Sequence, residues 1–193
     1  MKQINNFFAD PDLVREKALK HQVWNNESHP TNGNWPGLRT EYLSMIDDEA
    51  FKVFWKSFYK VMEWPDEKSV HFETFYQFCR VEDGDSWVHQ DIMTQGFTQV
   101  GVVYLSPNPP ANSGTTLYQP KEGETIESLH FDNGTHIETV SGDVSRYDIK
   151  HEFENIYNSA VIYNPSDLHK STGYFGSTKE DCRLTQVFFV TEK

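Results

Sequence analysis

The spacing of apolar residues along the chain changes character near residue 66: before it they recur at three-and-four intervals, and after it they alternate. "ADPDLVREKALKH" offers Asp10 as an N-cap and Pro11 at the first helical position, which predicts a short amphipathic helix with Leu13, Ala18 and Leu19 as its apolar points. The Asn-, Gly- and Pro-rich stretch 26–40 predicts a loop. In the next segment Phe51, Phe54, Trp55, Phe58 and Met62 fall on one helical face, Ser44 with Asp47 resembles a capping box, and Trp64-Pro65 stops the helix. Such an aromatic stripe predicts a helix packed against a sheet.

Six later runs, rich in Val, Phe, Tyr and Thr and bounded by turn residues, predict strands at 70–81, 86–91, 97–106, 114–119, 159–164 and 182–190. With no long helix between them, they predict a mainly β (α+β) fold: an antiparallel sandwich or jelly roll, its N-terminal helices (about 1–66) layered on one sheet. Residues 120–158 are polar and acidic. They read as an inserted segment with weak strand fragments and a short helix near 143–149, of the kind that often borders a binding site. A single domain spanning residues 1–193 is expected at this length.

Composition then removes function classes. Seventeen basic against twenty-nine acidic residues give a formal charge of −12, the wrong sign for tracking a phosphate backbone, so no nucleic-acid partner is expected. The same field disfavours an anionic membrane surface, and no stretch approaches the roughly 18 apolar residues of a spanning helix. Charges occupy the first twenty residues where a signal peptide needs an apolar core, so a cytoplasmic location is expected. Cys79 and Cys182 are too few for a disulfide framework and are expected as free thiols.

Four His-x-acid pairs occur: His71-x-Glu73, His89-x-Asp91, His130-x-Asp132 and His136-x-Glu138. On a strand, residues i and i+2 share a face, so His89 and Asp91 can converge on one metal ion where Gln90 cannot. A two-histidine, one-carboxylate site needs a second histidine from a strand distant in sequence. His169, in "NPSDLHKSTGYFG", follows one predicted strand and precedes the last. On that last strand Arg183, Thr185, Val187 and Phe189 share a face. If this face points inward, a guanidinium lies inside the sandwich with no acidic residue of its own strand to pair with, a need that a ligand carboxylate would meet. Taken singly, each residue has an ordinary explanation: a hydrogen-bonded histidine, a snorkelling arginine, a β-forming threonine. Their order along the strands makes them a set.

"WVHQD", "VVYLSP", "SGTTLY", "NPSDLH" and "RLTQVFFV", spanning roughly residues 75–190, resemble the iron(II)- and 2-oxoglutarate-dependent dioxygenases, in particular the prolyl-hydroxylase-like group with its phage and bacterial members. The resemblance implies that His89, Asp91 and His169 form the catalytic centre and bind Fe(II). It implies that Arg183, Thr185 and Tyr104 bind the distal carboxylate of 2-oxoglutarate. It further implies an O₂-dependent hydroxylation of a small molecule or a peptide or protein side chain, releasing succinate and CO₂. Fourteen residues separate His169 from Arg183, more than is typical of prolyl hydroxylases; the extra length is the loop "STGYFGSTKED", expected at the mouth of the site. Trp87, Tyr174 and Phe175 are candidates to line the pocket. Two other readings stand beside this one: a cupin-like isomerase or hydrolase using Zn or Mn on the same three residues, and a non-catalytic jelly-roll module that binds a glycan or a protein.

Overall fold

The computed structural model describes residues 1–30, 35–91, 96–124 and 143–192. Capping chemistry sets its helices. Helix α1 (Pro11–Lys20) starts where Asp10 Oδ1 accepts the Leu13 N–H at 3.0 Å. Its buried side is Val14 and Ala18, a slight rotation from the predicted points: Leu13 is largely exposed, and Leu19 packs at the core margin. Ser44 does not cap the long helix. It lies within the one-turn helix α2 (Leu43–Ile46), and Asp47 itself caps α3 (Asp48–Met62), its Oδ1 accepting the Ala50 N–H at 2.9 Å. Glu63 in the left-handed conformation, φ 54°, closes α3 just before Pro65.

The described residues form nine strands, in chain order β1 (Lys2–Ile4), β2 (Leu38–Arg39), β3 (Val70–Cys79), β4 (Gln99–Tyr104), β5 (Thr115–Pro120), β6 (Tyr147–Phe153), β7 (Ala160–Tyr163), β8 (Leu168–Ser171) and β9 (Arg183–Glu192). They form two antiparallel sheets, one in the order β1-β7-β4-β9-β3-β2 and one in the order β6-β5-β8. The predicted mainly β architecture with a helical layer on one sheet is what the chain adopts. Four strands have no sequence signal, for identifiable reasons. β1 and β2 are two or three residues long, and the four-residue β8 is buried at its first three positions, so neither face stands out. β6 exposes five residues between the buried Tyr147 and Phe153, so its sequence does not alternate. The helix expected near 143–149 is a single 3-10 turn, Val144–Arg146, leading into β6. Conversely, the strand expected at 86–91 reduces to a bridge between His89 and His169.

The larger sheet separates two apolar layers. On one face Leu184, Phe188 and Val190 of β9 and Phe72 of β3 meet Phe54 and Phe58 of α3. The Phe54 ring centroid lies 5.3 Å from Phe188 and 5.6 Å from Phe72. On the other face Val100, Tyr104, Val161 and Tyr163 pack with Leu117 and Phe153 of the smaller sheet. Gly101, between β7 and β9, permits this spacing: a Cβ there would lie 1.9 Å from the Val161 carbonyl oxygen. Both cysteines are buried and free. Among the described residues no helix is long and apolar enough to cross a membrane.

Because Phe54 is fully buried at the junction of helix and sheet, Phe54→Ala is expected to cost about 3–5 kcal/mol in urea unfolding. The neighbouring Val53→Ala, on the exposed side, should stay within about 0.5 kcal/mol. Equal losses would contradict the packing described.

Candidate metal centre

Backbone pairing brings the candidate ligands together. The His89 N–H donates to the His169 carbonyl at 3.0 Å, and the His169 N–H donates back to His89 at 2.8 Å. The Asp91 N–H donates to the Pro165 carbonyl at 2.9 Å, tying the same arm down two residues later. On its other side His169 stands opposite Leu117 of β5. Residues directly opposite share a face, so Leu117, His169 and His89 form one row pointing into the space between the sheets. Asp91, two residues after His89, joins them.

One nitrogen or oxygen from each of His89, Asp91 and His169 lies within 4.8 Å of the others. His169 Nε2 is 3.3 Å from Asp91 Oδ2, and His89 Nε2 is 3.7 Å from Asp91 Oδ1. The two imidazole centroids are 4.2 Å apart. Each ring has its Nδ1 3.0 Å from the carbonyl two residues earlier, of Trp87 and of Asp167 respectively. A carbonyl only accepts, so both Nδ1 atoms carry hydrogen and the neutral rings turn their Nε2 lone pairs to the shared centre. This tautomer is the one a metal site requires.

The electrostatics separate the three groups. Burial, then the neighbouring His169 charge, pulls His89 down to about 4, with Asp91 only partly opposing. Burial also works against the His169 imidazolium, but the charge and hydrogen bond of Asp91 outweigh it, aided by Asp167, and His169 is raised. Burial alone would raise Asp91; His169, His89 and Arg39 together bring it below its ordinary value. Without a metal, Asp91 and His169 thus favour each other's charged form, while His89 is held toward the neutral imidazole.

The competing pair His71-x-Glu73 does not assemble a third ligand. His71 is exposed on β3, 3.8 Å from Glu73, and His89, Asp91 and His169 form the one three-member cluster of potential metal-binding groups among the described residues. His130-x-Asp132 and His136-x-Glu138 lie outside those residues.

On β9, Arg183 and Thr185 are 2% and 1% exposed. Arg183 Nε donates to the Ser113 carbonyl and Nη2 to the Gly114 carbonyl, both at 3.0 Å, and its Cζ is 5.6 Å from the Tyr104 ring centroid. Gly114 lets the chain come this close: a Cβ there would lie 1.8 Å from the Phe153 carbonyl oxygen. The Tyr104 hydroxyl donates to Thr115 Oγ1 at 2.8 Å. Two carbonyls solvate the guanidinium, yet among the described residues no carboxylate forms an ion pair with it, and the inaccessible Thr185 Oγ1 has no hydrogen-bond partner. Tyr163 links this pocket to the histidines. Its ring is 4.7 Å from that of His169, and it packs in the same cluster as Tyr104 and Leu117.

Of the further residues singled out in the sequence, Trp87 has its ring 6.4 Å from His89, and Phe175 is partly buried. Tyr174 sits within the reach of the Arg183 charge, its hydroxyl 2.8 Å from Ser171 Oγ. Sequence reasoning missed Tyr163, the Ser113 and Gly114 carbonyls, and Arg39, whose charge reaches both His89 and Asp91. Only Arg39 had a local signal, as the lone cation in "WPGLRT".

No family model matches the chain, and no curated protein matches it in sequence. Solved structures do. A prolyl hydroxylase from Trichoplax adhaerens, in complex with a hypoxia inducible factor oxygen degradation domain peptide fragment, aligns at a TM-score of 0.56 and 10% identity over 99% of this chain and 83% of that one. A prolyl-4-hydroxylase from Pseudomonas putida aligns at 0.51 and 12% identity, covering 100% of this chain and 92% of that one. The alpha ketoglutarate dependent epimerase SnoN, in complex with Fe3+, alpha ketoglutarate and nogalamycin RO, aligns at 0.55 and 11% identity, covering 98% and 78%. The likeness is one of fold.

Alanine at His89, Asp91 or His169 is expected to weaken Co(II) binding, followed by its visible spectrum, by more than the roughly 10–100-fold typical of an outer-shell change. His71→Ala should leave it unchanged. Since a protonated imidazole cannot ligate, and Asp91 holds the His169 proton to higher pH than usual, affinity should fall as pH drops through the raised His169 range. A pH-independent affinity would remove His169 from the ligand set.

Proposed function

We propose that the chain is an Fe(II)- and 2-oxoglutarate-dependent dioxygenase built on a double-stranded β-helix, with residues 1–193 acting as one oxygenase unit. The observation that carries this reading is the pairing of two features across one inter-sheet space. A three-ligand cluster of His89, Asp91 and His169 faces a buried arginine that has no described carboxylate partner and stands beside an unpartnered threonine hydroxyl. Two histidines and one carboxylate on one side of a metal are the donor set of non-haem Fe(II) oxygenases, and leave positions for a chelating 2-oxo acid and O₂.

Each residue then has a role. His89 and His169 present Nε2, held in orientation by the Trp87 and Asp167 carbonyls. Asp91 supplies the charged ligand. Arg183, fixed by the Ser113 and Gly114 carbonyls, receives the distal carboxylate of 2-oxoglutarate, and Thr185 Oγ1 donates to the same group. Tyr104 walls this pocket, its hydroxyl engaged by Thr115. Tyr163 and Leu117 keep the space between the two subsites apolar and exclude water. When bound, iron with the 2-oxo acid and O₂ supplies the oxidising chemistry, which converts the 2-oxo acid to succinate and CO₂ and hydroxylates the substrate. The solved structures alike in fold are in complex with a peptide fragment in one case and with nogalamycin RO in another, so we infer a small-molecule or peptide side-chain substrate here. The cupin-like reading leaves both Arg183 and the Thr185 hydroxyl without a purpose.

The test is anaerobic addition of Fe(II), then 2-oxoglutarate, watching for the visible charge-transfer band of a chelated 2-oxo acid. Removing one partner of a buried charge pair costs about 2–5 kcal/mol. Arg183→Ala should therefore raise the 2-oxoglutarate concentration for half the band by about thirty-fold or more, with Fe(II) affinity little changed. Metal binding without a band would favour the cupin-like alternative, and no metal binding at all the non-catalytic one.

A further inference from the structure

The larger sheet carries a second arginine on the face that holds the anion pocket. Arg39 of β2 stands opposite Gln77 of β3, Gln77 opposite Thr185 of β9, and Thr185 opposite Tyr104 of β4. Residues directly opposite in antiparallel strands project to the same side, so all four belong to one transverse row. With neighbouring strands about 4.8 Å apart, Arg39 lies two strands, roughly 10 Å, from Thr185.

Its surroundings leave the guanidinium short of partners. The Cζ lies 4.5 Å from the Trp35 ring centroid and 4.7 Å from that of Phe75, a cage of two aromatic faces. Nη2 reaches Gln77 Oε1 at 3.5 Å, at the long limit of a hydrogen bond. Nε is inaccessible and has no partner among the described residues. The carboxylates nearby in the strands are turned elsewhere: Glu41 stands 3.7 Å from His29, and Glu73 stands 3.8 Å from His71. Burial brings Arg39 down only to about 10, so it stays charged at neutral pH, and Asp91 is among the groups whose charge supports it. The Arg39 charge is therefore felt at the metal cluster.

We infer that Arg39 binds a carboxylate of the substrate, so that the enzyme acts on an organic acid or a free amino-acid carboxylate held between β2 and the His89–Asp91–His169 cluster. This deepens the dioxygenase reading and rests on it for the word substrate. One planar guanidinium offers one fork, which matches a carboxylate. A phosphate dianion would call for further donors, and a chain of net charge −12 offers little additional attraction. Arg183 and Arg39 would divide the work, one holding the 2-oxo acid and the other the molecule to be oxidised.

The probe pair is phenylacetate and its neutral isostere phenylacetamide, titrated calorimetrically into the anaerobic Fe(II) protein saturated with 2-oxoglutarate. The wild-type protein is expected to bind the anion at least about ten-fold more tightly than the amide. Arg39→Gln should remove that preference while the charge-transfer band still forms at the same 2-oxoglutarate concentration. Equal binding of anion and amide by the wild-type protein overturns the inference without any variant, as does a preference that survives in Arg39→Gln. The band reports separately on the dioxygenase reading. If it fails to form while the Arg39-dependent preference persists, the anion site stands and the reaction assigned to it falls.

Discussion

A strand buried on both faces cannot slip by one residue, and β9 is such a strand. Its even positions, Leu184, Phe188 and Val190, sit in the aromatic layer beneath α3, while Arg183 and Thr185 face the smaller sheet. A one-residue shift would exchange the two sets. It would drive a guanidinium into the apolar layer beside Phe78, where a charge has no compensation. The fully buried polar side chain of the helix-facing set, Gln186, donates its Nε2 hydrogen to Thr74 Oγ1 at 3.0 Å. The hydrophobic layer that stabilises the fold thus also fixes where the anion pocket can be.

Charge is used locally against the global balance. A net charge of −12 opposes the approach of a dicarboxylate at long range, an effect that salt screens over about 8–10 Å. Inside, Arg183 lies where screening is weak, with carbonyl dipoles but no described counter-charge. Such a cation carries a desolvation cost that a bound carboxylate would offset. The metal cluster solves the inverse problem. Its Asp91 carboxylate stands 3.3 Å from His169 Nε2, and each of the two groups favours the charged form of the other.

The parts of this arrangement that were legible in the sequence are those with a long period or a fixed order. The α3 stripe and the alternation of β3 and β9 need only local spacing, and both run at least ten residues. His89-x-Asp91 was singled out of four similar pairs by its place in the order of the predicted strands, with His169 between the last two, and the structure unites His89, Asp91 and His169. What could not be read depends on contacts between distant segments. β6 shows no alternation because five of its seven residues face water, and β8 is too short and too uniformly buried to reveal a face. The carbonyl cradle of Arg183 comes from residues 69 and 70 positions away, with no side-chain signature. Arg39 was hidden for a related reason: β2 is a two-residue strand inside a Gly- and Pro-rich stretch.

The two halves of the site are held by forces of different strength. Arg183 and Thr185 belong to a strand paired along its length with β3 and through six residues with β4, so their positions move only if the sheet does. His89 and Asp91 belong to no regular strand. Their arm is attached through the reciprocal His89–His169 pair and the bond from Asp91 to Pro165. Local openings begin where backbone attachments are few, so the arm is the part of the site with freedom to shift. A cation bound by all three side chains would join this arm to β8 through bonds stronger than the backbone contacts already present, coupling metal binding to local order. The pocket around Arg183 needs no such help, since the aromatic core has already set it in place.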